Sequence, residues 1–347
     1  MITMASKHYP FRSEKAKQHY LALYDNEAAK WPIDSETKLI ESQYGQTFVR
    51  ISGPEDAPVV VLLPGKFTSS NMWVRNIEAL SQDHRTIAVD TIDCYGRSQP
   101  LKPIQSIQSY VHWIDDLFDQ LGLQKVHLIG QSFGGMLATQ YALVHGDRLD
   151  SLTLLAPAAT VCKISPSLLW RGALSLLPHP YFTRQMFAWL YEGLYTEAQD
   201  LALSQQNNQN ELDLGSHSSL SSKKTSTNGA YFAADNANPF DQFVDTIYTA
   251  SRCYQSSLPV TPPVLTDQQL QSITPPTLFL VGDNEKVYSA PQAVKRMNQH
   301  VPCIETAIIK HCAHDLPMTQ SRIVNRKIIR FMESLQVNET EKRSNVR

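Results

Sequence analysis

Gly130-Gln131-Ser132-Phe133-Gly134-Gly135 places a serine between glycines, directly after the β-rich run Val126–Ile129 and directly before the helical pattern Met136–Val144. On a strand–turn–helix corner the turn holds its central residue in strained backbone geometry, and the flanking glycines clear space where a Cβ would clash. The Ser132 hydroxyl would then project from the C-terminal end of a strand, beside a helix N-terminus that favours developing negative charge. That is the setting of a nucleophile for acyl transfer. A glycine-rich βα turn can also bind phosphate, but the G-x-G-x-x-G spacing of that motif is absent.

A hydroxyl is a poor nucleophile at its own pKa, so it needs a base and a group that orients the base. Two clusters downstream supply the residue types. Gly282-Asp283-Asn284-Glu285-Lys286-Val287 follows the strand-like run Thr277–Val281 and carries two carboxylates. His311-Cys312-Ala313-His314-Asp315 follows Ile304–Ile309 and carries two histidines. Either group alone would pass for surface; their positions just beyond strand ends put them on the same rim as Ser132. His311, Cys312 and His314 match no common zinc spacing, so no metal is expected.

The elements that must position these residues alternate. Val59–Leu63, Thr86–Val89, Val126–Ile129 and Leu152–Leu155 read as strands buried on both faces, with helical patterns Trp73–Leu80, Ile107–Leu121 and Met136–Val144 between them. The alternation returns with Thr277–Val281, a helix near Ala290–Gln299, Ile304–Ile309 and a closing helix near Arg322–Leu335. This predicts an α/β fold with a mostly parallel, doubly wound sheet. Ahead of it lie an amphipathic helix, Ser13–Ala29, and a hairpin of Lys38–Gln43 and Thr47–Ser52 turning at Tyr44-Gly45-Gln46.

The boundaries that follow are a helical extension at 1–35, a core at 36–159 and 271–337, a helical insertion at 160–270 and a polar tail at 338–347. The insertion opens with aromatic-rich helices at Leu168–Leu177 and Tyr181–Leu194, which are expected to bury one face as a lid, with Trp170 and Trp189 over the substrate. Its stretch 204–229 is Ser-, Asn-, Gln- and Thr-rich and reads as a mobile loop. A homodimer interface is the competing reading of the exposed apolar helices.

The chain has 347 residues, 42% hydrophobic and 18% charged, ample for a large core. A net charge of −2 provides no long-range field for pulling in nucleic acid or anionic lipid, so no nucleic-acid partner is expected. No apolar run approaches the length of a membrane span, and no signal-peptide core is present in the first residues. Five scattered cysteines without a CxxC pair read as reduced thiols, so a soluble cytoplasmic protein is expected.

Taken together, these segments resemble the α/β-hydrolase-fold serine hydrolases from about Lys38 to the closing helix. Leu62-Leu63-Pro64-Gly65-Lys66-Phe67-Thr68-Ser69-Ser70 is similar to the family's oxyanion loop, with Pro64 where a His is usual. Asp90-Thr91-Ile92-Asp93-Cys94-Tyr95-Gly96-Arg97-Ser98 is similar to its D-x-x-G-x-G-x-S loop. Trp31-Pro32, Ser52–Pro58 and Pro263–Asp267 resemble bacterial carboxylesterase-like members. The resemblance implies Ser132 as nucleophile, Glu285 as acid with Asp283 as fallback, and His314 as base in preference to His311. It implies oxyanion donors at the Lys66 and Phe133 backbone N–H groups, no metal and no organic cofactor.

The expected reaction is hydrolysis of a small-molecule carboxylic ester through an acyl-enzyme. Thioesters and carbon–carbon bonds use the same triad and stay open as substrates. A different class, a hydrolase-fold protein that only binds its ligand, can also retain the triad and is distinguished by labelling with a fluorophosphonate.

Overall fold

The computed structural model describes residues 9–214, 238–255, 260 and 264–344. Helix α1 (Glu14–Ala28) leads into the antiparallel pair β1 (Glu36–Ser42) and β2 (Gly45–Ser52). The core then runs β3 (Val59–Leu63), a 3-10 turn at Ser70–Arg75, α2 (Ile77–Leu80), β4 (Arg85–Val89) and the short β5 (Gln99–Pro100). It continues through α3 (Ile107–Gln120), β6 (Val126–Gln131), α4 (Phe133–His145) and β7 (Leu149–Leu155).

Four helices interrupt the alternation: α5 (Pro166–Ser175), α6 (Pro180–Leu190), α7 (Glu192–Leu214) and α8 (Pro239–Cys253). Helix α9 (Asp267–Gln271), β8 (Thr277–Gly282), α10 (Ala290–His300), β9 (Ile304–Ile309), α11 (Leu316–Thr319) and α12 (Ser321–Ser344) complete the chain.

The strands form one sheet ordered β1-β2-β4-β3-β6-β7-β8-β9, with β5 paired to β2. Pairings from β4 through β9 are parallel, and those of β2 are antiparallel. The chain moves from β3 outward to β4, then returns to place β6 on the other side of β3. That reversal opens a crevice at the C-terminal ends of β3 and β6, where open α/β sheets bind ligands. The loop after β3 and Ser132 after β6 meet there.

The reason for the central strands is visible in their burial. Residues Val60–Leu63 of β3 and every residue of β6 and β8 are buried, because helices cover both faces. Strand β1 is the edge and is largely exposed, with Glu36, Lys38 and Glu41 along it, a composition that discourages further strand pairing. Helix α3 turns Tyr110, Val111, Trp113, Ile114, Leu117 and Phe118 inward at helical spacing.

Two expectations about the insertion change. Residues 204–214 continue helix α7 rather than starting a loop, while 215–229 lie outside the described residues. Helix α6 buries Thr183, Met186, Phe187 and Leu190, but α5 buries none of its residues. The sequence could not separate these two helices because both carry large apolar residues at helical spacing. Only α6 has α7 and α8 to pack against as well as α5.

Candidate active site

Ser132 has φ 51° and ψ −112°, a conformation that L-residues rarely adopt. Its N–H donates to the Leu155 carbonyl at 2.9 Å, and its own carbonyl accepts from Met136 and Ala158 at 2.9 and 3.0 Å. The strain is therefore held from β7 and from the first turn of α4. The glycines around it are required by contact. A Cβ on Gly130 would sit 2.3 Å from the Gly134 oxygen, and one on Gly134 would sit 2.3 Å from the Leu63 oxygen. The elbow thus packs backbone against backbone, both within itself and on the end of β3.

The loop after β3 passes beside this turn. A Cβ on Gly65 would lie 2.4 Å from Gln131 Oε1 and in ordinary contact with Ser132 Cβ at 3.6 Å, so a larger residue there would have to displace the buried Gln131 amide. The loop lacks the usual histidine brace, and a local one replaces it. Thr68 N–H and its hydroxyl both donate to the Gly65 carbonyl, at 3.2 and 3.0 Å. Thr68, not singled out from the sequence although a Thr three residues after the loop glycine is its signal, thereby braces this loop locally. Lys66 lies next in the loop, and Phe133 opens α4, where first-turn N–H groups have no intrahelical acceptor.

The Lys66 ammonium lies 4.7 Å from the centre of the Phe133 ring and 3.4 Å from Cys94 Sγ. A cation over an aromatic face is favourable, and here it ties the loop after β3 to the residue after Ser132. Cys94 is buried; desolvation raises its thiol pKa, and the nearby Lys66 opposes that rise.

Asp90 organises the neighbouring loop from the end of β4. Its buried carboxylate accepts from Ser70 N–H and Arg97 N–H, both at 2.7 Å, and from the Tyr24 hydroxyl at 2.9 Å. Burial pushes its pKa up and these bonds pull it back. A Cβ on Gly96 would meet that carboxylate at 2.6 Å, and the Ser98 hydroxyl donates to the Asp90 carbonyl at 2.6 Å. The D-x-x-G-x-G-x-S-like pattern is therefore a structural knot that joins α1, the 3-10 turn and the loop after β4.

Glu285 and His314 are brought together. His314 Nδ1 lies 2.9 and 3.0 Å from the two Glu285 oxygens, and both side chains are almost fully buried. Glu285 also accepts from Val287 N–H at 2.8 Å, which fixes the carboxylate. Asp283 is placed elsewhere: it accepts from Cys312 N–H at 3.3 Å and has Lys310 Nζ at 4.0 Å. His311 turns through φ 58° and its carbonyl accepts from Gln320 at 3.3 Å, with no role toward Glu285. The imidazole of His314 forms no hydrogen bond to the Ser132 hydroxyl among the described residues. Such contacts commonly tighten only when substrate is present.

The insertion reaches this histidine directly. His314 N–H donates to the Leu190 carbonyl at 3.3 Å, and the Tyr191 ring lies 6.2 Å from the imidazole. Buried Asp315 accepts from Leu194 N–H at 2.6 Å and from Ala313 N–H at 3.1 Å, which joins α7 to the histidine loop. Burial raises the Asp315 pKa, and those two backbone bonds oppose the rise.

The aromatic cover is built from Phe187, Tyr191 and Phe243, which contact one another in a cluster that also reaches Phe67. Neither expected tryptophan belongs to it. Trp170 is half-exposed on α5, and Trp189 faces the Arg171 guanidinium from the other side. A largely apolar pocket opens beyond Phe67, lined among others by Tyr20, Tyr24, Tyr95, Leu194 and Phe243. Ser132, Glu285 and His314 do not line it, whereas Phe67, Thr68 and Ser69 of the loop after β3 do.

A parallel sheet with a strained serine at a topological reversal, and a buried carboxylate–imidazole pair on the same rim, define a class of hydrolytic enzymes. Residues 58–320 match the alpha/beta hydrolase fold family, and the chain belongs to it. Two relatives match it over nearly the whole length. The uncharacterized carboxylesterase nap of Bacillus subtilis is 30% identical over 91% of this chain and 92% of its own. Carboxylesterase YbfK of the same organism is 28% identical over 93% and 96%. The crystal structure of the Bacillus subtilis naproxen esterase (carboxylesterase NP) superposes with a TM-score of 0.73 at 29% identity, covering 92% of this chain and 99% of that one.

Proposed function

We propose that this carboxylesterase-type hydrolase cleaves carboxylic esters through a Ser132–His314–Glu285 triad and an acyl-enzyme. The observation that carries the reading is the buried Glu285–His314 pair at 2.9 Å on the same sheet rim as a serine at φ 51°. Ser132 attacks the ester carbonyl as His314 Nε2 takes its proton, and Glu285 steadies the imidazolium through Nδ1. The Lys66 and Phe133 N–H groups meet the developing oxyanion, and a water then releases the acyl group by the same route. The apolar cavity beyond Phe67 favours esters with a bulky apolar moiety.

The test is Ser132→Ala. The variant should keep the wild-type circular dichroism and melting, lose turnover of p-nitrophenyl esters and lose labelling by a fluorophosphonate. Retained turnover would remove Ser132 from the mechanism. A folded wild type that neither labels nor turns over any ester would leave the ligand-binding reading in its place.

A further inference from the structure

Helix α5 and the turn into α6 form an apolar surface with no protein partner among the described residues. Leu169, Trp170, Leu174, Leu176, Leu177 and Tyr181 are all exposed, Leu176 by 76% of its surface. Six large apolar residues along one short hairpin exceed the scattered exposure that a soluble surface normally carries.

The charge on this hairpin is one-signed. From Ser151 to Tyr191 there is no Asp or Glu, whereas Lys163, Arg171 and Arg184 all fall within the stretch, in a chain whose net charge is −2. Arg184 is compensated by Asp241 of α8 at 2.7 Å. Arg171 is held between the Trp170 and Trp189 rings, at 4.4 and 4.8 Å from their centres. Arg252 reaches the same tip from α8, where its Nη2 donates to the Leu176 carbonyl at 3.3 Å. The tip therefore sets exposed leucines beside arginines, with a tryptophan and a tyrosine whose polar ends suit a boundary between oil and water.

From this juxtaposition we propose that the α5–α6 hairpin docks the protein on an anionic lipid surface, lying in the headgroup layer without crossing it. Apolar side chains at the tip enter the acyl boundary while Arg171 and Arg252 meet lipid phosphates. No helix among the described residues is long and apolar enough to span a bilayer, so the contact is peripheral. A second copy of the chain fits the charge less well. A two-fold contact through this face would set cations against the same cations, and neither helix carries a carboxylate to separate them.

The experiment is co-sedimentation of the full chain with phosphatidylcholine vesicles, with and without roughly a quarter phosphatidylglycerol. The wild type should pellet with the anionic vesicles, on the order of tenfold more weakly with the neutral ones, and less as salt is added. Trp170→Ser combined with Leu176→Ser should lower the anionic partition on the order of tenfold. Melting and turnover of a short p-nitrophenyl ester should stay unchanged, because the hairpin tip touches no residue of the proposed triad. Arg171→Glu should weaken binding to anionic vesicles alone. Absence of wild-type binding, or equal binding to both vesicles, overturns the proposal. So does a dimer in gel filtration that the double variant converts to monomer while vesicles capture neither.

Discussion

Gln131 Nε2 donates to the carbonyl of His314 at 3.1 Å, joining the residue before Ser132 to the proposed base across a sequence gap of 183. The bond is buried, and Gln131 Oε1 faces the Gly65 backbone on its other side. One side chain thus touches the elbow, the oxyanion loop and the histidine loop. Gln131→Met keeps the length of the side chain and deletes the bond. It should lower kcat about tenfold with KM little changed, since a small misplacement of the base costs rate rather than binding. A change confined to melting temperature would make Gln131 purely structural.

The two carboxylates at the end of β8 should differ sharply. Glu285→Gln should depress kcat about a thousandfold, because a neutral amide cannot stabilise the imidazolium. Asp283→Asn alters a 3.3 Å bond to the Cys312 backbone and a 4.0 Å approach of Lys310, both away from the imidazole, and should cost less than about threefold. Parallel kcat measurements decide it, and the opposite ranking would transfer the role to Asp283.

Lys66 should act through its backbone rather than its ammonium. Nζ is already engaged with the Phe133 ring and Cys94 Sγ, at 4.7 and 3.4 Å. Lys66→Met keeps the N–H and the packing, so kcat should fall less than about threefold. A loss of a hundredfold or more would show that the ammonium reaches the reacting carbonyl.

Acid should weaken the fold through the strand that carries the serine. His127 is buried in β6, with Nδ1 2.8 Å from Ser151 Oγ, and desolvation lowers its pKa from 6.5 to about 4. The unfolded chain therefore binds the proton first as pH falls. Stability contributed by the neutral ring is complete above about 6.5, declines as pH falls toward about 4 and then changes no further. The loss is on the order of 3 kcal/mol. Denaturant unfolding of wild type and His127→Asn across this window should show a shallower decline in the variant; equal slopes would assign the acid sensitivity elsewhere.

How much of this was legible beforehand depends on the range of the interactions. The elbow was legible because its requirements are local: a strand, a tight turn and a helix, with glycines where backbone meets backbone. The alternation of apolar runs announced a parallel sheet, because strands covered on both faces must be continuously apolar. Two carboxylates and two histidines at strand ends were also readable. Which of each pair would meet was given only by the family resemblance, which named Glu285 and His314; residue types alone leave it open, since Asp283 and Glu285 differ by two residues and the choice rests on how the loop after β8 turns.

Contacts between distant segments were decided only by the tertiary structure. Gln131 spans to His314, and Asp315 captures the backbone of α7, neither through a pattern short enough to read along the chain. The insertion shows the same limit. Periodicity reports that a helix has an apolar face, but whether that face is covered depends on what lies opposite. Helix α6 met α7 and α8 and was buried, whereas α5 packs chiefly on α6 among the described residues and kept Leu169 and Trp170 in contact with solvent.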